Sequence, residues 1–199
     1  MIAKDEFLQA LARLRTDQIV VTCMSLVRPW ARYSNSLLDF ASADSAMGHT
    51  ADLSLGLAMA QPSRKVICLN GDGSMLMSLG TFATIVEAGA TNLILFVIDN
   101  GCYELTGGQS VPGRGRLSFP AMARAAGFPR VYEFEALAEF RERGAEILEG
   151  EGPVFAAVRL EAGDEGPLSR GPHEEARYLK LSLSESCREI RRELLNAGK

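Results

Sequence analysis

Asp72 and Asn100 carry the strongest chemical implication in this chain. Asp72 lies in Asn70-Gly71-Asp72-Gly73-Ser74, after the apolar run 66–69 and before Met75, Leu79, Phe82 and Val86, which recur at helical spacing. Glycines let a backbone approach a ligand closely, and the amides of Gly73 and Ser74 would open the helix, an arrangement that suits phosphate. A carboxylate beside phosphate is repelled unless a cation separates them. The loop therefore predicts phosphate together with a hard divalent metal. Asn100 stands in Asp99-Asn100-Gly101-Cys102-Tyr103, 28 positions after Asp72 and directly after the apolar run 93–98. One helix and one strand fill that interval, so the two loops meet if their strands are neighbours. A carboxylate, an Asn amide oxygen, one loop carbonyl and phosphate oxygens make an all-oxygen shell suited to Mg²⁺. A Gly-Asp-Gly triplet alone is a common turn. Its place between strand and helix, with an Asn after the next strand, gives it weight.

Alternating elements must position these loops. Phe7, Leu8, Leu11 and Leu14 predict an amphipathic helix over 4–15, followed by a buried strand at 19–22. A helix over 51–60 stops before Pro62, and strands follow at 66–69 and 93–98. A short helix at 120–126, a strand at 131–134, a helix over 137–148 interrupted or ended near Gly144, and a strand at 154–158 complete the series. The loop 163–172 precedes a charged C-terminal helix, assigned to 172–199 with its body at 174–196. The strands are unbroken apolar runs, as expected where helices cover both faces of a sheet. The fold class is α/β: a three-layer, doubly wound parallel sheet forming one domain over 1–199. Ligands of such sheets bind at the carboxyl ends of the strands, where both loops fall.

Composition narrows the function classes. The chain has 199 residues, 21 Lys plus Arg and 25 Asp plus Glu, hence a formal net charge of −4. No basic excess favours nucleic acid. The longest apolar run falls far short of the ~20 residues needed to span a bilayer, which argues against a membrane role. The four cysteines, Cys23, Cys68, Cys102 and Cys187, are scattered without a paired motif, and His49 and His173 lie far apart. A zinc site is not expected, and free thiols behind an acidic amino terminus suggest the cytoplasm. Cys23, Cys68 and Cys187 read as packing residues.

Gly71-Asp72-Gly73-Ser74 through Asp99-Asn100 resembles the thiamine diphosphate motif, in which Gly-Asp-Gly is followed at this spacing by Asn. The match extends to Ala46-Met47-Gly48-His49 upstream and Thr106-Gly107-Gly108-Gln109 downstream. The stretch is similar to the diphosphate-binding domain of phosphonopyruvate and sulfopyruvate decarboxylases. The resemblance implies thiamine diphosphate and Mg²⁺ as cofactors. Asp72, Asn100 and the carbonyl of Cys102 would hold the metal, and Gly71, Gly73 and Ser74 the diphosphate. Met47 and Gly48 would also bind the cofactor, Met47 as the apolar wedge that bends it, and the Ser45 carbonyl would accept a hydrogen bond from its aminopyrimidine. The chain departs from the family at Thr22-Cys23-Met24-Ser25, where Gly is common after the Thr, and at residues 26–30; that region bears on the substrate.

The resemblance also implies a catalytic Glu from a separate pyrimidine-binding domain, and no Glu here occupies its place. Glu87, on the helix after the loop, reads as solvated or capping. The expectation is a pyrimidine-binding, alpha-type partner subunit and a hetero-oligomer built on dimers. His49 is a possible active-site residue, and His173 reads as exposed. Arg28, Arg32, Arg114 and Arg116 are candidates for binding a small anionic 2-oxo acid, although surface solvation is the plainer reading. The Gly-rich loops 106–116 and 163–172 are candidate lids. The expected function is a thiamine diphosphate-dependent decarboxylase subunit. The alternatives are a carboligase of acetolactate synthase type, a cofactor-binding copy without turnover, and a non-catalytic phosphate- or nucleotide-binding module.

Overall fold

In the computed structural model, residues 1–43 and 47–196 are described. Their strands form a parallel sheet in the order β2-β1-β3-β4-β8-β7, built from β1 (Ile19–Cys23), β2 (Asp39–Ala43), β3 (Val66–Gly71), β4 (Leu93–Asp99), β7 (Arg130–Phe134) and β8 (Val154–Arg159). A short antiparallel pair, β5 (Cys102–Tyr103) and β6 (Gln109–Ser110), stands apart. The α/β class and the doubly wound parallel sheet follow the sequence reading. None of the helices among the described residues is long and apolar enough to cross a membrane.

Alternate residues of each strand feed two cores. On one face, Val20, Ile67, Leu69, Phe96 and Val158 pack against Phe7, Leu8 and Leu11 of α1 (Lys4–Leu14), Trp30 of α2 (Val27–Ala31) and Phe140 of α7 (Leu137–Glu149). On the other, Val21, Cys68, Leu95, Val97 and Phe155 meet Ala51 and Leu55 of α3 (Thr50–Ala60), Met75 of α4 (Asp72–Leu76), Phe82 and Ile85 of α5 (Thr81–Glu87), Phe119 and Ala123 of α6 (Phe119–Ala126) and Ile190 of α9 (Leu183–Asn196). Apolar side chains on both faces explain why the central strands read as continuous apolar runs.

Five features differ from the sequence reading. β2 was not expected. It is an edge strand with a polar start, and Arg15 pins it through Asp39 Oδ1 at 3.0 Å, with Ser34 Oγ on Oδ2 at 2.6 Å. The helix after Asp72 is broken into α4 and α5 by a turn at 77–80. Helix α7 runs through Gly144, whose missing side chain admits α1: a Cβ there would sit 2.5 Å from Leu14 Cδ1. The C-terminal helix is two pieces, α8 (Arg177–Lys180) and α9, parted at Leu181-Ser182, while 172–176 are not helical. Cys187 is exposed rather than packed, whereas Cys23 and Cys68 are buried.

Candidate functional site

The register brings the two loops together. β3 pairs β4 with Gly71 opposite Ile98, and β1 pairs β3 with Thr22 opposite Leu69. The carboxyl ends of β1, β3 and β4 thus lie side by side, where the strand order reverses around β1. Gly71 precedes α4 with extended backbone, and Asp72 takes its first helical position. Placing a carboxylate in the first turn is favourable against the helix dipole.

Asp72 is only 3% exposed. Its Oδ1 accepts the Gly73 amide and its Oδ2 the Gly101 amide, each at 2.7 Å. Burial pushes its carboxyl up to about 6, against the lowering effect of those two amides, and the neighbouring Asp99 adds to the rise. No cationic side chain pairs with Asp72 among the described residues. Asn100 faces the same cleft. Its Oδ1 accepts the Cys102 amide at 3.1 Å, and its Nδ2 donates to Glu104 Oε2 at 2.9 Å. A carboxylate acts only as an acceptor, so the orientation of the Asn100 amide is defined.

Ser74 ties the neighbouring segment to α4: its Oγ accepts the Gly48 amide at 3.0 Å, and the Cys23 thiol lies 3.7 Å away. Gly48 has φ +90°, and a Cβ there would stand 3.1 Å from Met77 Cβ. Gly73 is covered by a ring, since a Cβ on it would lie 2.4 Å from Tyr103 Cε1. Met24, at the departure noted after β1, has φ +50°, the left-handed region that favours glycine. That conformation costs an L-residue about 1–2 kcal/mol, placed at the wall of the cleft.

Of the residues singled out from the sequence, Met47, Gly71, Asp72, Gly73, Ser74, Asn100 and Cys102 line one cleft, with Gly48 hydrogen-bonded behind it. Ser45 lies outside the described residues. His49 is not part of the cleft lining; its side chain is 78% exposed and Nδ1 contacts Asp52 Oδ2 at 3.2 Å. Glu87 is exposed, and His173 touches Ser169. Arg28 forms a two-pronged pair with Glu174, at 2.9 and 2.6 Å, and Arg32 pairs with Asp5 and Glu165. These two arginines tie down the segment 163–174 and do not face the cleft as unpaired cations. Arg114 is exposed and lies over Gly101, where a Cβ would meet its Nε at 2.6 Å; Arg116 is exposed. Sequence reasoning missed Asp99, Tyr103, Glu104 and Lys4. The first three adjoin Asn100 in sequence, but Lys4 carries no local signal.

The residues present fit a divalent cation: a buried, cation-free carboxylate beside an amide oxygen of defined direction, in a pocket of about 40 Å³. No group of three His, Cys, Asp or Glu side chains among the described residues is placed to hold a metal ion. A hard cation here would therefore take its remaining oxygens from the backbone and from a ligand.

Comparison with known proteins identifies related chains. Phosphonopyruvate decarboxylase of Streptomyces hygroscopicus is 36% identical over 143 residues, covering 70% of this chain and 35% of that protein. Sulfopyruvate decarboxylase subunit beta of Methanothermobacter thermautotrophicus is 37% identical over 119 residues, 60% of each chain. This chain thus spans about a third of the first relative and three fifths of the second. Benzoylformate decarboxylase from Polynucleobacter necessarius shares the fold, with a TM-score of 0.69 over 81% of this chain and 34% of that one, at 21% identity. Residues 21–158 match the thiamine pyrophosphate enzyme, C-terminal TPP binding domain, and the chain belongs to that family.

Proposed function

We propose that this chain holds the diphosphate end of thiamine diphosphate through Mg²⁺. On this reading it serves a 2-oxo acid decarboxylase acting on a substrate of the sulfopyruvate or phosphonopyruvate type. The observation that carries this reading is the buried Asp72 carboxylate, paired with no cationic side chain among the described residues and lining one cleft with Asn100 at adjacent strand ends. Asp72, Asn100 and the Cys102 carbonyl would hold the metal, and the Gly73–Ser74 backbone would receive the diphosphate. Bound thiamine diphosphate would supply the electron sink that loss of CO₂ from a 2-oxo acid requires. The chain's own residues bind and orient: Asp72 brings negative charge, Asn100 brings a directed oxygen, and Met47 brings apolar surface at the cleft.

A pyrimidine-binding partner that supplies the catalytic Glu is the second part of the proposal. Relatives named as beta subunits support it. Arg114, which lies over Gly101, and the exposed Arg116 remain as candidate cations for an anionic substrate, Arg28 and Arg32 being held by carboxylates.

Calorimetric titration of thiamine diphosphate with Mg²⁺ tests the site: wild type should bind and Asp72→Ala should not. Nucleotide binding that thiamine diphosphate fails to displace would instead favour a phosphate-binding module. Turnover of a 2-oxo acid by the purified chain alone would refute the need for a partner. Free aldehyde with CO₂, rather than a coupled hydroxyketone, identifies a decarboxylase over a carboligase.

A further inference from the structure

Glu104 and Lys4 are 100 positions apart, yet they form a buried ion pair. Their side chains are 2% and 9% exposed, with Lys4 Nζ 2.5 Å from Glu104 Oε1. Lys4 opens α1, and Glu104 opens the turn at 104–106 that follows the Asn100 loop. The other carboxylate oxygen, Oε2, accepts Asn100 Nδ2 at 2.9 Å. The backbone of 163–165 closes over the pair. The Glu165 amide points at Oε1 at 3.4 Å, and a Cβ on Gly163 would lie 2.7 Å from both Oε1 and Nζ. The burial of this pair therefore depends on that segment.

An Asn side chain can present oxygen or nitrogen to a metal position, and only oxygen binds a hard cation. A carboxylate can only accept. Glu104 therefore claims the nitrogen end of Asn100 and leaves Oδ1 on the opposite side, towards Cys102 and the cleft. Lys4 in turn fixes the position of Glu104 and offsets the burial of its charge. A carboxylate that orients a ligand in this way tunes the site through that ligand.

We infer that Glu104, anchored by Lys4, is a positioning residue that sets the Asn100 amide for metal binding. The inference rests on the reading of Asp72 and Asn100 as the metal site. Two double variants of the full chain separate the roles. Lys4→Met/Glu104→Leu replaces the ion pair with apolar groups, an exchange that folded chains tolerate, and removes the acceptor for Asn100. Lys4→Met/Glu104→Gln removes both charges but keeps an acceptor oxygen. If the leucine variant is unfolded by circular dichroism, Lys4→Met/Glu104→Ala takes its place.

The first readout is solvent exchange of the Asn100 side-chain amide in the metal-free chain by NMR, assigned by its loss in Asn100→Asp. It should be slow in wild type and in the Gln variant, and fast in the Leu variant. The second is Mn²⁺ binding in the presence of thiamine diphosphate, followed by electron paramagnetic resonance. Affinity should fall about tenfold or more in the Leu variant, the range for lost orienting partners, and stay within about threefold in the Gln variant. Equal exchange in all three chains overturns the positioning role. Altered exchange with unaltered Mn²⁺ affinity overturns its link to the metal. A wild-type chain with a protected Asn100 amide that takes up no Mn²⁺ overturns the metal reading itself, and the inference with it.

Discussion

The metal-free chain should become more stable as pH falls from about 7.5 to about 5, and Asp72 should be the reason. Its carboxyl is raised from 3.8 to about 6 because burial disfavours the charge and Asp99 adds repulsion. A group whose folded pKa lies above its unfolded value contributes stability fully below the unfolded pKa, and that contribution is lost as pH rises through the folded pKa. The full difference is about 2.2 units, or about 3 kcal/mol, present below roughly pH 4 and gone above roughly pH 7. Between about pH 7.5 and 5 the folded form gains about 1.4 kcal/mol from this group, a shift of about 3–6 °C in Tm for a chain of this size. Asp72→Asn cannot titrate and should lack this increment. The assay is urea unfolding in EDTA at three pH values, comparing wild type with Asp72→Asn so that other carboxylates cancel. With Mg²⁺ and thiamine diphosphate present the trend should reverse, because the bound metal requires the carboxylate and its stabilisation fades as pH falls through about 6. Parallel stability curves for the two chains would refute the argument that Asp72 is buried as an uncompensated charge.

Gly73→Ala should displace Tyr103, whose ring stands 2.4 Å from the added Cβ, and cost about 1–3 kcal/mol by urea unfolding. Adding Tyr103→Ala should recover part of that loss in a double-mutant cycle. Arg28→Ala removes the pair with Glu174 and the contacts to the carbonyls of Gly166 and Pro167. Limited proteolysis within 163–171 should accelerate, with a stability loss of about 1–3 kcal/mol because Glu174 is left buried without its partner. Arg114→Ala should raise KM for anionic 2-oxo acids about tenfold in the assembled enzyme with little change in kcat, as for a lost charge-assisted bond; an unmoved KM removes Arg114 from the substrate site. Cys102→Ser should leave Mg²⁺ affinity unchanged by titration, because the residue is read as acting through its carbonyl.

The central strands were legible because a sheet covered on both faces demands unbroken apolar runs, as in β4, Leu93–Asp99. Edge strand β2 was not, because Asp39 and Phe40 lack that pattern and their strand is held by Arg15 from another element. Gly144 looked like a helix stop because glycine lowers helix propensity. Its reason is the passage of Leu14, which no local pattern encodes. The arginine candidates divided for the same cause: a residue type announces a charge, while its partner lies far along the chain. Arg28 and Glu174 are 146 positions apart.

By itself, the sequence determined the α/β class, the two loops and the residue types at the proposed metal–diphosphate site, since these depend on local periodicity and on spacing across a single strand and helix. The tertiary structure alone decided which side chains remain unpaired and which are held. It buried Asp72 with no cationic side chain paired to it among the described residues, turned Arg28 and Arg32 onto Glu174 and Glu165, and set Lys4 against Glu104 behind Asn100. Desolvation and pairing depend on contacts between distant segments, and those exist only once the sheet and its two helical layers have assembled.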